Sequence, residues 1–395
     1  MYFFGAVMNS TLIISSLLLF VCVGCTQISN VDRIKNQNTS SDLPVPITHP
    51  KAQLGSQLFF DVNLSKSRNL SCASCHDVGH AFVDKREIGS AVSRGSDEVS
   101  LGGRNAPTAS YAALTPVFHK MQSGEYRGGQ FLDGRAIDLQ HQAAGPFVNP
   151  VEMQMPTEAA VIDRIMENEQ YVSSFKKVYG NDVFLDKSYA FDAVTDAIAH
   201  FEQTQLFMPF NSKYDRVLKG EASFTSEEEL GRTLFFSQQF TNCAECHQLN
   251  QSPFFERETF TNYEYRNIGV PKNSSLKHVE RDLGLLENPN VLDKHQAGKF
   301  RVPTLRNVAV TGPYMHNGVF NDLRTVVKFY DHYNNPTRLV NPETGKAWSA
   351  PEVPETVDMK TLTKGPALSD RRVDALVAFL KTLTDQQYEY LQEDQ

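Results

Sequence analysis

Two cysteines separated by two residues and followed at once by a histidine, Cys72-Ala73-Ser74-Cys75-His76, constrain this 395-residue chain more than any other stretch. The spacing suits covalent attachment of a c-type haem. Each thiol adds to one vinyl group of the porphyrin, and the adjacent imidazole falls beneath the iron as proximal ligand. A zinc half-site or a redox dithiol uses the same cysteines but leaves the histidine unexplained. The pattern returns as Cys243-Ala244-Glu245-Cys246-His247, so two c-type haems are expected. The chain has six cysteines; four attach haem, and the other two, Cys22 and Cys25, lie near the N-terminus, which leaves no pair for a disulfide. Haem attachment of this kind points to an exported bacterial protein, in the periplasm.

Flanking segments repeat as well. Leu54-Gly55-Ser56-Gln57-Leu58-Phe59-Phe60 precedes the first attachment site and Leu230-Gly231-Arg232-Thr233-Leu234-Phe235-Phe236 the second. Downstream, Arg104-Asn105-Ala106-Pro107-Thr108 is echoed by Val302-Pro303-Thr304-Leu305-Arg306-Asn307. A tandem duplication of one haem domain explains both echoes, with domains over residues 51–215 and 216–395. Residues 159–179, 189–206 and 371–383 have apolar side chains at helical spacing, whereas strand-like alternation is scarce. The expected fold class is mainly α, with long loops around the haems. A net charge of −8 argues against a nucleic-acid partner and suits a basic or dipolar protein partner.

Residues 1–24 carry no charged side chain, and residues 11–23 are mostly apolar. That run is short for a membrane span and fits a signal peptide. Val23-Gly24-Cys25 resembles a lipoprotein cleavage site, with Cys25 as the acylated new terminus, although the leader lacks Lys and Arg and places Cys22 where Leu is usual. Plain cleavage or an uncleaved anchor are the alternatives. Residues 25–50, rich in Asn, Ser, Thr and Pro, form a flexible tether in this reading. Contact with a membrane is then expected through the lipid anchor alone.

Gln130-Phe131-Leu132-Asp133-Gly134-Arg135, followed by Gln142, Gly145-Pro146 and Asn149-Pro150-Val151-Glu152-Met153, resembles the bacterial di-haem cytochrome c peroxidase/MauG family. So does Thr311-Gly312-Pro313-Tyr314-Met315-His316-Asn317-Gly318, and the resemblance spans roughly residues 50–385. It implies two cytochrome-c-like domains packed face to face, with hydrogen peroxide reduced at the N-terminal haem and electrons relayed by the C-terminal one. His76 corresponds to the proximal ligand of the peroxide-reactive haem, Glu152 to the distal carboxylate and Gln142 to a glutamine of the same pocket. Cleaving peroxide needs a group that takes a proton from one oxygen and returns it to the other, as a buried Glu with a raised pKa can. The bland alternative for Glu152 is a helix-capping or surface carboxylate.

In many family peroxidases a second histidine, on the loop after the attachment site, closes the resting N-terminal haem. Residues 88–94 contain no histidine, and His80 and His119 are expected at the surface or behind the site, so an open, MauG-like iron is implied. At the C-terminal haem, His247 is the proximal ligand, and the family's sixth-ligand position falls on Tyr330, with Met315 as rival. A phenolate ligand favours oxidised iron where a thioether favours reduced iron. Leu132 stands where the family usually has an inter-haem tryptophan, so haem-to-haem transfer must use Tyr126, Phe131 or a direct longer jump. Trp348, the only tryptophan, is expected as a surface anchor or as a radical exit site toward a partner. The resemblance also implies a calcium ion held by Asn105 and by the Thr311 and Pro313 carbonyls, and often a homodimer. The function expected is that of a di-haem peroxidase, with MauG-like oxidation of a partner protein preferred. The alternatives are a cytochrome c peroxidase fed by a small redox protein and a non-catalytic electron-transfer or haem-sensing protein.

Overall fold

In each half of the chain, the helix before the haem-attachment loop crosses a later helix at a glycine. The computed structural model describes residues 43–86, 91–250 and 256–392. The leader with Cys22 and Cys25, and residues 88–90 of the loop after the first site, lie outside the described residues. Helix α1 (Pro50–Phe59) is followed by the attachment turn and then by α2 (Leu139–Val148), α3 (Glu158–Met166), α4 (Glu169–Tyr179) and α5 (Lys187–Glu202). The second half contains α6 (Lys213–Leu218), α7 (Ser226–Phe236), α8 (Leu323–Asp331) and α9 (Asp370–Lys381). Long irregular segments and short 3-10 turns connect them, and the strands form three two-stranded antiparallel ribbons. The fold is therefore mainly helical, with long loops. Among the described residues no helix is long and apolar enough to cross a membrane.

Helix starts follow from capping. The side chains of Asp138, Asp186 and Ser369 accept hydrogen bonds from the first-turn amides of α2, α5 and α9, and Thr225 and Glu228 form a capping box on α7. The apolar run at 159–179 is two helices rather than one. Glu167 ends α3, and the Asn168 side chain accepts from the Gln170 amide to start α4. The last residues of the expected tether also differ from the reading: Val45 is buried, and its amide donates to the Gln203 carbonyl at 2.9 Å.

Helix α5 is buried on nearly every side and anchors a core that runs from Leu54 to Phe207. A Cβ on Gly55 of α1 would stand 1.9 Å from the Ala197 carbonyl oxygen of α5. The second core runs from Tyr214 to Leu383 around α7 and α9, and a Cβ on Gly231 would stand 1.8 Å from the Ala375 carbonyl oxygen. Only glycine lets these backbones approach so closely. The two halves interlock through Tyr111, whose hydroxyl donates to Asp385 (2.6 Å), through the Asn105 amide on the His316 carbonyl (2.8 Å), and through Arg104, which joins Asp133 to Asp282.

Candidate active site

Both attachment loops fold around their histidine in the same way. Cys72–Cys75 is a single helical turn capped by Ser71 and Ser74, and His76 ends it. His76 Nδ1 lies 3.1 Å from the Phe82 carbonyl, and His247 Nδ1 lies 3.1 Å from the Phe260 carbonyl. Phe82 and Phe260 hold φ at 59° and 54°, an unusual backbone that turns each carbonyl toward its imidazole. A second duplicate bond ties each loop down: Thr108 Oγ1 donates to Ala81 (2.6 Å) and Thr304 Oγ1 to Thr259 (2.7 Å). A carbonyl at Nδ1 places the proton there and leaves the Nε2 lone pair for a metal. Burial favours the neutral ring in both cases, pushing His247 down to about 4.

Cys72, Cys75, Cys243 and Cys246 are unpaired thiols, and all four line one cavity of about 930 Å³ together with His76 and His247. Burial pushes the Cys75 thiol up to about 12 and the Cys246 thiol up to about 11. Two pairs of cysteines facing one chamber, an imidazole with a fixed tautomer beside each pair and a roomy, largely apolar lining are what two c-type haems require. The residues present fit the group.

Glu152 and Gln142 line the same cavity. Gln142 is on α2, four residues before Pro146, which has no N–H to give to the Gln142 carbonyl. Glu152 follows α2 in a tight loop, where Ser96 N–H donates to its carbonyl at 2.8 Å and its own N–H donates to Asn149 at 3.1 Å. Burial raises the Glu152 carboxyl above its ordinary range, while the charge of Arg135 and a hydrogen bond from Asn149 pull it part of the way back. Its charge is felt at both Cys72 and Cys75, which places it by the first attachment site.

Tyr330 on α8 and Met315 both line the cavity. The Tyr330 phenol makes no hydrogen bond among the described residues and lies within electrostatic range of Cys243 and Cys246. His80 pairs with Asp77 (2.7 Å) and His119 with the Val117 carbonyl (2.7 Å), and neither lines the cavity. Leu132 and Phe131 line it, whereas Tyr126 stacks on Phe118 (centroids 5.4 Å) outside it. Trp348 also lies outside, its indole N–H on the Arg338 carbonyl (2.7 Å) and its ring against Phe320, Phe329 and His332.

Asn105, Thr311 and Pro313 border the cavity. The Asn105 amide nitrogen donates to Ala91 (2.9 Å), leaving its oxygen as a free donor atom for a cation. The Lys85 ammonium, however, reaches the Gly312 carbonyl at 3.5 Å, so a positive charge already stands at this turn.

Four cavity residues escaped the sequence reading. Glu202, at the end of α5, is fully desolvated, with its carboxyl pushed up to about 8. His316, quoted above only as part of its motif, stacks its ring on Phe300 (3.7 Å), and its buried Nε2 has no partner among the described residues. Tyr263 and Arg301 line the seam between the two halves. An acidic residue inside the apolar spacing of α5 was the one local signal available.

Comparison with known proteins agrees with this geometry. Residues 49–223 match the family described as di-haem cytochrome c peroxidase. The chain is 50% identical over 359 residues to methylamine utilization protein MauG of Paracoccus denitrificans, an alignment covering 88% of this chain and 92% of that protein. It is 31% identical over 349 residues to cytochrome c551 peroxidase of Nitrosomonas europaea, covering 86% and 81% of the two chains. The crystal structure of the di-haem peroxidase BthA from Burkholderia thailandensis superposes with a TM-score of 0.78 at 33% identity, covering 86% of this chain and 87% of that one. With its duplicated attachment sites and shared cavity, the chain belongs to the di-haem cytochrome c peroxidase/MauG family of haem peroxidases.

Proposed function

We propose that this peroxidase cleaves hydrogen peroxide at the N-terminal haem and uses the resulting oxidising equivalents, in MauG fashion, on a side chain of a partner protein. The observation that carries the reading is the Glu152 carboxyl, buried at the cavity beside the first attachment site with no described histidine other than His76, His247 and His316 lining that cavity. A c-type haem supplies an iron that binds peroxide and accepts its oxidising power. Glu152 would take a proton from one peroxide oxygen and return it to the other, and its raised pKa suits a group that must hold and release a proton. Gln142 orients peroxide or water from α2. Burial keeps His76 neutral, and the Phe82 carbonyl fixes its proton on Nδ1, away from the ligating nitrogen. Tyr330, with no competing hydrogen bond, would ligate the second iron and stabilise its oxidised state.

Identity of 50% to a MauG supports the protein-oxidising use. Leu132, an unoxidisable side chain at the seam, supports the second reading, a cytochrome c peroxidase fed by a small redox protein. Stoichiometric peroxide added to the haem-loaded ferric protein should change the absorption of the N-terminal haem within seconds. No change would leave only relay or sensing roles. Covalent oxidation of a co-purifying protein, with slow steady-state oxidation of reduced cytochrome c, is expected; rapid steady-state turnover would favour the second reading. Export and an acylated Cys25 belong to the same proposal, checked by mass spectrometry of the mature N-terminus.

A further inference from the structure

The cavity is lined by several arginines, and most have an anion of their own. Arg104 pairs with Asp133 and Asp282, Arg135 with Asp133, Arg266 with Glu264 and Arg281 with Glu355. Arg301 differs. The residue is 9% exposed, its Nε is sealed from solvent without a partner, and among the described residues its guanidinium makes no ion pair. The titratable groups that act on it are the phenols of Tyr263 and Tyr265, and the Tyr265 hydroxyl is committed to the Gly128 carbonyl at 2.7 Å. Guanidinium groups do not give up their proton, so this charge is buried and must find an anion. The cavity wall is where Arg301 meets open space.

What would fill that space carries carboxylates. A haem brings two propionates, and the thioether bonds at the cysteines fix which way they point. Arg301 lies on the ribbon that pairs Tyr265–Arg266 with Phe300–Arg301, Tyr265 facing Arg301. Both strands reach the second attachment site: the Arg266 side chain hydrogen-bonds Cys246, and the backbone of Pro303, two residues after Arg301, faces the His247 ring. The Arg301 amide also donates to the Leu132 carbonyl at 2.9 Å, which pins the residue at the seam between the halves.

We propose that the Arg301 guanidinium is the counter-charge for a propionate of the haem attached at Cys243 and Cys246, holding that haem's edge at the seam beside Leu132. The guanidinium would place a positive charge near the second iron, opposing the effect expected of the Tyr330 phenolate.

The test is an optical redox titration of the haem-loaded wild type, Arg301→Gln and Arg301→Lys, with two haems per chain verified first, since the thioether bonds retain haem whatever happens to the ion pair. Arg301→Gln should make the C-terminal haem harder to reduce, by about tenfold or more in its reduction equilibrium, with the N-terminal haem moving less. Arg301→Lys should lie nearer the wild type. A C-terminal haem unmoved in Arg301→Gln, a larger shift at the N-terminal haem, or a Lys variant further from wild type than the Gln variant would overturn the assignment. Should Arg301→Gln fail to fold, a crystal structure of the loaded wild type decides: a guanidinium within about 3 Å of a propionate on that haem upholds the proposal, and a guanidinium met by a protein carboxylate or by water alone refutes it.

Discussion

Two of the glutamates that line the cavity, Glu152 and Glu202, are buried in different company, and the contrast sets what each can do. Glu152 is buried but keeps Arg135 and Asn149 as partners, so its carboxyl is raised only in part and can pass a proton either way. Replacing it with Gln keeps the shape and removes the exchange. Glu152→Gln should slow the peroxide-induced absorption change by about 10²- to 10⁴-fold, with peroxide binding less affected; a loss of under threefold would remove Glu152 from the mechanism. Glu202 has burial alone acting on it, and its carboxyl is pushed up to about 8. A carboxyl raised on folding favours the fold below its unfolded value of about 4.3, and that advantage drains away as the pH climbs to the folded value. Wild type should therefore lose stability relative to Glu202→Gln by about 1.4 kcal/mol per pH unit up to about pH 8, and no further beyond it. Parallel melting curves of the two proteins against pH would contradict this.

At the scale of helices, the duplication is a repeated crossing. In α1 over α5 and again in α7 over α9, a glycine admits a carbonyl oxygen to within 1.9 and 1.8 Å of where its Cβ would sit. That oxygen belongs to a helix backbone and has no easy way to yield. Gly55→Ala and Gly231→Ala should each cost roughly 3 kcal/mol through forced separation of the pair, against a few tenths for Ser56→Ala at the next residue; denaturant melts giving under 1 kcal/mol for both would refute the crossing. Leu54-Gly55 and Leu230-Gly231 made the repeat legible before any fold was known, because a helix writes its buried face into local spacing. The attachment motifs were legible for a similar reason, since the chemistry of one porphyrin fits within five residues. Arg301, Tyr263 and Glu202 were not. Each matters through what is packed against it from far along the chain, and no local spacing records that the Arg301 amide meets the Leu132 carbonyl. The break between α3 and α4 was hidden by the opposite effect: apolar positions stay in phase on both sides of Asn168, and only its capping hydrogen bond reveals the end.

The whole molecule depends on keeping its two halves in register, because the cavity takes its wall from both. Arg104 is the main polar fastener. Its guanidinium meets Asp133 at 2.5 Å on one side of the seam, and Asp282 at 2.6 Å and Glu287 at 2.9 Å on the other. Asp133 and Asp282 are nearly sealed from solvent, and the charge of Arg104 helps to hold Asp282 below the usual carboxylate range. Removing the cation would leave carboxylates facing one another across the seam, a situation that costs about 3–5 kcal/mol when the pair is buried. Arg104→Gln should therefore destabilise the protein on that scale at neutral pH, whereas breaking the exposed Arg281–Glu355 pair should cost about 1 kcal/mol or less. The pH dependence identifies the cause. A depressed Asp282 stabilises the fold above its unfolded value of about 3.9, and that contribution is lost as the pH falls through the folded value. The deficit of Arg104→Gln should thus shrink on acidification below about pH 4 as the stranded carboxylates take up protons. If the variant instead carries the same deficit down to acid pH, Arg104 holds the seam by packing on Phe300, 5.4 Å from its guanidinium, rather than by charge.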